Sequence, residues 1–199
     1  NGKNIEEFGA VVTKLVRNVF IPIAAGGGIR NMRDVELLFN SGADKVVVNS
    51  CLHENPSLVK NIVQRYGSQS VVASVDYKLL DGDARVYIHD GSLELIDTMS
   101  NYLERISELG VGEILLNSID KDGTGFGYDL ASIKKYSSEI KIPLIIMGGA
   151  GNETHLNDGL HVEGVSAVAT ANLFNFIGDG LPEARAFMLK KGANLARWI

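Results

Sequence analysis

Asp76 closes a short apolar run, Val71-Val72-Ala73-Ser74-Val75-Asp76, and a carboxylate at the end of a buried strand suits general acid–base work. Period-two alternation puts Val72, Ser74 and Asp76 on one face, which aims the carboxylate at the mouth of the fold. The plainer reading is an Asp that caps the neighbouring loop. Two glycine turns, Gly26-Gly27-Gly28-Ile29-Arg30 and Gly148-Gly149-Ala150-Gly151, each follow an apolar run and precede a helical pattern. Glycine lets a backbone approach a ligand closely, and a helix start offers free N–H groups and a positive dipole end. Together these make a phosphate cradle. Packing alone would account for one such turn, and a second copy favours the phosphate reading. Asn49-Ser50 follows the first turn, and Thr170 and Asn172 follow the second, each at the end of the next strand. Barrels commonly hold phosphate between adjacent strand–helix loops of this kind. Two cradles predict a substrate with two phosphates.

Asp120-Lys121-Asp122-Gly123-Thr124-Gly125 follows the next apolar run. It lacks the ligand set of a calcium loop and reads either as a substrate-covering loop, with Asp122 and Gly123 near the ligand, or as a solvated turn. Lys45 and Glu113 each begin a strand, at the end opposite the expected chemistry. They form either an exposed ion pair worth about 1 kcal/mol or less, or an inward pair, because Lys45-Val47-Asn49 and Glu113-Leu115-Asn117 alternate together. His53, His89, His155 and His161 have no metal-ligand spacing and read as structural or exposed. No metal and no cofactor is expected.

The elements that must position these residues alternate regularly. Ile21–Ala25, Lys45–Asn49, Val71–Asp76, Ile114–Ile119, Pro143–Met147 and Ala167–Ala171 are short, apolar and rich in β-branched residues, as strands covered on both faces should be. Helical patterns fall at Glu6–Arg17, Met32–Ser41, Pro56–Tyr66, Leu95–Leu109, Leu130–Glu139, Glu153–Leu160 and Leu181–Lys191. The exception is Lys78–Asp90, where Asp81-Gly82 marks an inserted hairpin. The alternation predicts βαβ units and a parallel sheet. Ile21–Gly28 also lines up with Ile142–Gly149, each followed by a helix and a strand, which suggests two similar half-domains. The expected fold is therefore α/β, a (β/α)8 TIM barrel of about 250 residues in one domain. Residues 1–69 are the remainder of the first half-barrel and 70–199 the second. By this arithmetic the first one to two βα units, about 50 residues, are missing. An open doubly wound sheet is the alternative.

Composition narrows the partners. The net charge of −5 over 199 residues argues against nucleic acid, which needs a basic surface. No apolar run approaches the roughly 18 residues of a membrane span, no signal-peptide pattern opens the chain, and the single Cys51 fits a reducing compartment. These features predict a cytoplasmic protein without a membrane partner.

From about Ile5 to Ala196 the chain resembles the cyclase subunit family of imidazole glycerol phosphate synthase. The resemblance is densest at Ala24–Ile29, Gly42–Ser50, Glu54–Leu58, Gly67–Asp76, Gly112–Thr124 with Gly127-Tyr128-Asp129, and Gly148–Gly151. It implies a lyase of histidine biosynthesis. A glutaminase subunit at the N-terminal face releases ammonia through the barrel. The cyclase adds it to a bisphosphorylated ribulosyl-formimino-aminoimidazole carboxamide ribonucleotide, closes an imidazole ring and splits off an aminoimidazole ribonucleotide. On this resemblance Asp76 is one of two acid–base aspartates. Gly28, Asn49 and Ser50 hold one phosphate, and Gly149, Ala150, Ala171 and Asn172 the other. Asp122 and Gly123 belong to the substrate loop, and Lys45 and Glu113 to the ammonia gate. Ser92-Leu93-Glu94-Leu95, Asp90, Met147 and Asn172 depart from the family pattern. They look more like paralogues found with surface-polysaccharide genes, which imply ammonia for amidating a sugar. A non-catalytic barrel that docks a glutaminase is a further alternative.

Overall fold

The computed structural model describes residues 4–171 and 180–196. Its elements run α1 (Ile5–Val16), β1 (Ala24–Gly26), α2 (Met32–Asn40), β2 (Lys45–Val48), α3 (Ser50–Glu54), α4 (Pro56–Tyr66), a 3-10 turn (Ser68–Ser70), β3 (Val71–Leu80), β4 (Asp83–Ile88), β5 (Leu93–Thr98), α5 (Met99–Ser107), β6 (Glu113–Ser118), α6 (Leu130–Ser137), β7 (Leu144–Met147), α7 (Glu153–Leu160), β8 (Val165–Val168) and α8 (Gly180–Lys190). The strand order is β1-β2-β3-β6-β7-β8, with β4 and β5 attached to the side of β3. The pairs β1–β2, β2–β3 and β7–β8 are parallel, as the strand–helix alternation requires.

The described chain falls into two compact units. One comprises the residues up to Ser74 with Glu104–Ile114; the other comprises Val75–Leu103 with the chain from Leu115 onward. In the first unit Val35, Leu38, Val46, Val59, Ile62 and Val71 are fully buried between helix and strand. In the second, Tyr77, Val86, Met99, Tyr102, Ile133, Leu144 and Ile146 do the same. Burial alternates along β2, β6 and β7: one face lies under helices and the other is half-buried. Lys45, Asn49, Glu113, Asn117 and Met147 belong to the half-buried set.

Local chemistry sets the element ends. Asn55 accepts the Leu58 N–H at 3.1 Å ahead of Pro56 at the first helical position; an N-cap of this kind contributes roughly 1 kcal/mol. Asn31 and Asn152 cap α2 and α7 in the same manner. No helix among the described residues is long and apolar enough to cross a membrane.

Two local expectations are corrected. Residues 95–98, read as the start of a helix, belong to β5, which pairs antiparallel with β4 through Tyr87–Glu94 and Ile88–Leu93. Leu95 is buried four residues before Met99, so a strand residue happened to continue the helical spacing of Met99, Tyr102, Leu103 and Ile106. The hairpin is consequently a three-stranded antiparallel extension built on β3. Ser50 opens the short helix α3 rather than ending a strand, and Pro56 restarts the backbone as α4 within two residues of that helix's end.

Candidate functional site

Alternation in β3 decides where Asp76 points. Val75 and Tyr77, on either side of it, are each 1% exposed beneath the helices, so Asp76 lies on the opposite, half-buried face with Ser74 and Lys78. Asn117, on the matching face of β6, donates its amide N–H to Asp76 Oδ1 at 3.1 Å. The amide is thereby oriented, and its Oδ1 is buried without a hydrogen-bond partner among the described residues. That oxygen faces the second glycine turn, since a Cβ on Gly148 would stand 3.2 Å from it. Behind Asp76, the buried Tyr77 hydroxyl donates to Asp129 Oδ2 at 3.1 Å, while Asp129 Oδ1 caps α6 at the Ser132 N–H. Burial first, and the Asp129 charge next, raise the Tyr77 phenol above its ordinary range, so it stays a neutral donor. Asp76 is therefore held from the side by Asn117 and from behind by a pinned strand.

The second glycine turn lies in the same unit. Gly148 and Gly149 have φ of +97° and +105°, values that L side chains adopt only with strain. A Cβ on Gly149 would come within 2.2 Å of Gly127 O, and one on Gly151 within 2.2 Å of Gly125 O. The Gly127 N–H donates to Gly149 O at 2.7 Å. The turn is thus threaded against residues 125–127, with Ala150 half-buried between the glycines. Ala171 is exposed; Asn172 lies outside the described residues. Asp122 and Gly123 sit exposed in a hydrogen-bonded turn, in which the Asp122 N–H reaches Ser118 O at 3.0 Å and the Thr124 N–H reaches Lys121 O at 3.0 Å. Asp120 anchors that turn by accepting the Leu79 N–H at 2.7 Å.

In the first unit, Gly27 and Gly28 also have positive φ, +106° and +77°. Among the described residues, nothing but its own chain neighbours lies within 4 Å of where a Cβ on Gly27 would be. Asn49, at the end of β2, donates to Ser74 O at 3.0 Å and accepts from the Ser50 hydroxyl at 3.3 Å.

Lys45 and Glu113 meet directly as a hydrogen-bonded ion pair. They begin β2 and β6, which flank β3 on its two sides, so the pair reaches across β3 at the level of Val71. Both side chains are about three-quarters covered, with exposures of 26% and 22%.

Sequence reasoning named Asp76, the glycine turns and the ion pair, but gave no role to Asn117, Tyr77, Asp129 or His155. Asn117 was legible in principle: it stands two residues ahead of Ile119 on the inward alternation of a strand adjoining the one that carries Asp76. The Tyr77–Asp129 contact joins residues far apart in sequence, and no spacing rule reaches it.

Comparison with known proteins adds independent observations. The family model described as "Histidine biosynthesis protein" matches residues 3–178. A protein of Parasynechococcus marenigrum, provisionally named imidazole glycerol phosphate synthase subunit hisF2, is 41% identical over 98% of this chain and 73% of its own length. Proteins of Chloroherpeton thalassium and Chlorobaculum parvum, both named imidazole glycerol phosphate synthase subunit HisF, are each 39% identical over 91% of this chain and 72% of their own lengths.

Proposed function

The chain belongs to the histidine biosynthesis protein family, within the set of imidazole glycerol phosphate synthase subunit HisF proteins, and from that premise we propose that it is an ammonia-dependent cyclase acting on a bisphosphorylated ribulosyl-formimino-aminoimidazole carboxamide ribonucleotide. The observation that carries this reading is the held carboxylate of Asp76, with Asn117 on its Oδ1 and a positive-φ glycine turn in the same unit.

In this reading Gly28, Asn49 and Ser50 receive one phosphate, and Gly149, Ala150, Ala171 and Asn172 the other. Backbone N–H groups do most of the binding, since they point outward at such turns and carry partial positive charge. Asp122 and Gly123 belong to the loop that covers the substrate. Phosphate contacts fix the substrate's orientation before the chemistry. Asp76 is one of the two aspartates that exchange protons as ammonia adds, the ring closes and the aminoimidazole ribonucleotide departs. Asn117 keeps one carboxylate oxygen engaged and so fixes the orientation of the group. Ammonia comes from a glutaminase subunit docked at the N-terminal strand ends, where Lys45 and Glu113 stand.

Asp76→Asn tests the assignment. It preserves shape but cannot exchange a proton, so turnover with ammonium salts should fall by about 10²–10⁴-fold while binding of the bisphosphate stays close to wild type. Near-normal turnover would remove Asp76 from catalysis. A wild-type chain inert toward this substrate yet able to receive ammonia from a glutaminase would move the assignment to the sugar-amidating paralogue.

A further inference from the structure

We infer that His155 is a positioning residue for the second glycine turn, holding it in anion-receiving shape by accepting the Gly151 N–H on its Nδ1 and backing Gly127 with its ring.

The two glycine turns share one backbone plan. In the first, Asn31 caps α2 by accepting the Asp34 N–H at 3.1 Å, and the Arg30 N–H donates to Asp34 Oδ2 at 2.8 Å. In the second, Asn152 caps α7 by accepting the His155 N–H at 2.9 Å, and the Gly151 N–H donates to His155 Nδ1 at 3.1 Å. Arg30, Asn31 and Asp34 line up one for one with Gly151, Asn152 and His155 in the internal repeat. The acceptor beneath the turn has changed from a carboxylate to an imidazole while its task has stayed the same. A peptide N–H can only donate, so Nδ1 must be the unprotonated nitrogen and Nε2 carries the proton.

The exchange has two consequences. A neutral acceptor beneath the turn places no negative charge beside an incoming phosphate, whereas Asp34 does. A ring also reaches further than a carboxyl: a Cβ on Gly127 would lie 3.3 Å from His155 Cδ2, so the imidazole lies against Gly127. The Gly127 N–H in turn holds Gly149 O at 2.7 Å. One side chain therefore fixes Gly151 directly and Gly149 through Gly127, on both sides of Ala150.

This inference rests on the reading that the second turn holds a phosphate, and the test separates the two. The full chain is titrated with inorganic phosphate while the backbone amides of Gly149, Ala150 and Gly151 and the imidazole nitrogens of His155 are followed by NMR. In the wild type those amides should shift, and Nδ1 should resonate as an unprotonated acceptor with Nε2 protonated. His155→Phe keeps a ring but strands the Gly151 donor, and phosphate affinity should fall about 5- to 30-fold. His155→Asn returns a neutral acceptor with the reach that Asp34 demonstrates but not the ring against Gly127, and should bind phosphate more tightly than His155→Phe and less tightly than wild type. If His155→Phe binds phosphate as tightly as wild type, or if Nδ1 carries the proton, the positioning role is wrong while the anion reading stands. If phosphate leaves Gly149–Gly151 unmoved in the wild type, the anion reading fails and takes this inference with it.

Discussion

Replacing Lys45 with Met tests whether the pair at the strand starts is more than a surface contact. Lys45 and Glu113 are both about three-quarters covered and joined directly. Two unit charges about 4 Å apart attract by roughly 4 kcal/mol at an effective dielectric of 20, most of which is offset by the cost of taking both out of water. Removing one partner forfeits the attraction and leaves Glu113 covered and unpaired. The expected loss is about 1–3 kcal/mol, a fall in Tm of roughly 3–10 °C for a chain of this size. Glu113→Gln should cost a similar amount. The double variant should cost less than the sum of the singles by about 1–2 kcal/mol, because the second change removes a charge already stranded by the first. Urea unfolding of the four proteins measures that coupling. The functional half of the assay compares turnover fed by glutamine, with the glutaminase bound, against turnover fed by ammonium salts. If the pair governs ammonia passage, Lys45→Met lowers the first rate well below wild type and the second much less. Strict additivity, within about 0.3 kcal/mol, together with an unchanged ratio of rates would refute the argument and return the pair to the status of an exposed salt bridge.

Gly149→Ala drives a Cβ to 2.2 Å from Gly127 O at a φ of +105°, so it should weaken phosphate binding and cost clearly more stability than Gly123→Ala, whose φ of +75° strains an Ala by roughly 1–2 kcal/mol but whose Cβ would meet no neighbour within 4 Å among the described residues; thermal melts of the two variants make the comparison, and equal losses would contradict the account of the turn. Burial pushes the Cys51 thiol up from 9.0 to about 11. The unfolded thiol therefore ionises first, and its contribution to stability, complete below pH 9, is lost as pH rises toward 11; the urea midpoint of the wild type should fall faster over that window than that of Cys51→Ala.

How much of this was legible in the sequence depended on how far each signal reached along the chain. The strand carrying Asp76 and the two glycine turns were readable because alternation and the glycine pattern are local, and the repeat of Ile21–Gly28 at Ile142–Gly149 reinforced both. The contact between Lys45 and Glu113 could be framed only as one of two options, since strand order had to bring β2 and β6 to the two sides of β3. Residues 95–98 misled because Leu95, the buried residue of β5, stands four residues before the buried Met99 and so continues the helical period. His155 looked inert because its partner is a backbone N–H, which leaves no signature in residue spacing. The match to the histidine biosynthesis family over residues 3–178 fixes the family; the roles of Asp76, the two phosphate cradles and the Lys45–Glu113 pair are proposals that rest on the resemblance.

The hairpin that departs most from the strand–helix rhythm also changes the mechanics of the proposed acid–base group. Were β3 to stop at Asp76, the carboxylate would ride on the fraying end of a strand and share the motion of whatever loop followed. Instead four more residues, Tyr77–Leu80, continue in register against β4, and Asp76 itself stands opposite Tyr87. The Tyr77 carbonyl is held from the other side by the Ile119 N–H at 2.9 Å. Displacing the carboxylate therefore requires peeling a ladder, a cooperative event far slower and rarer than the flicker of a chain end. Reactants must come to a proton-transfer group that does not travel, and the yielding needed to admit and release them falls to the single-turn segments around it.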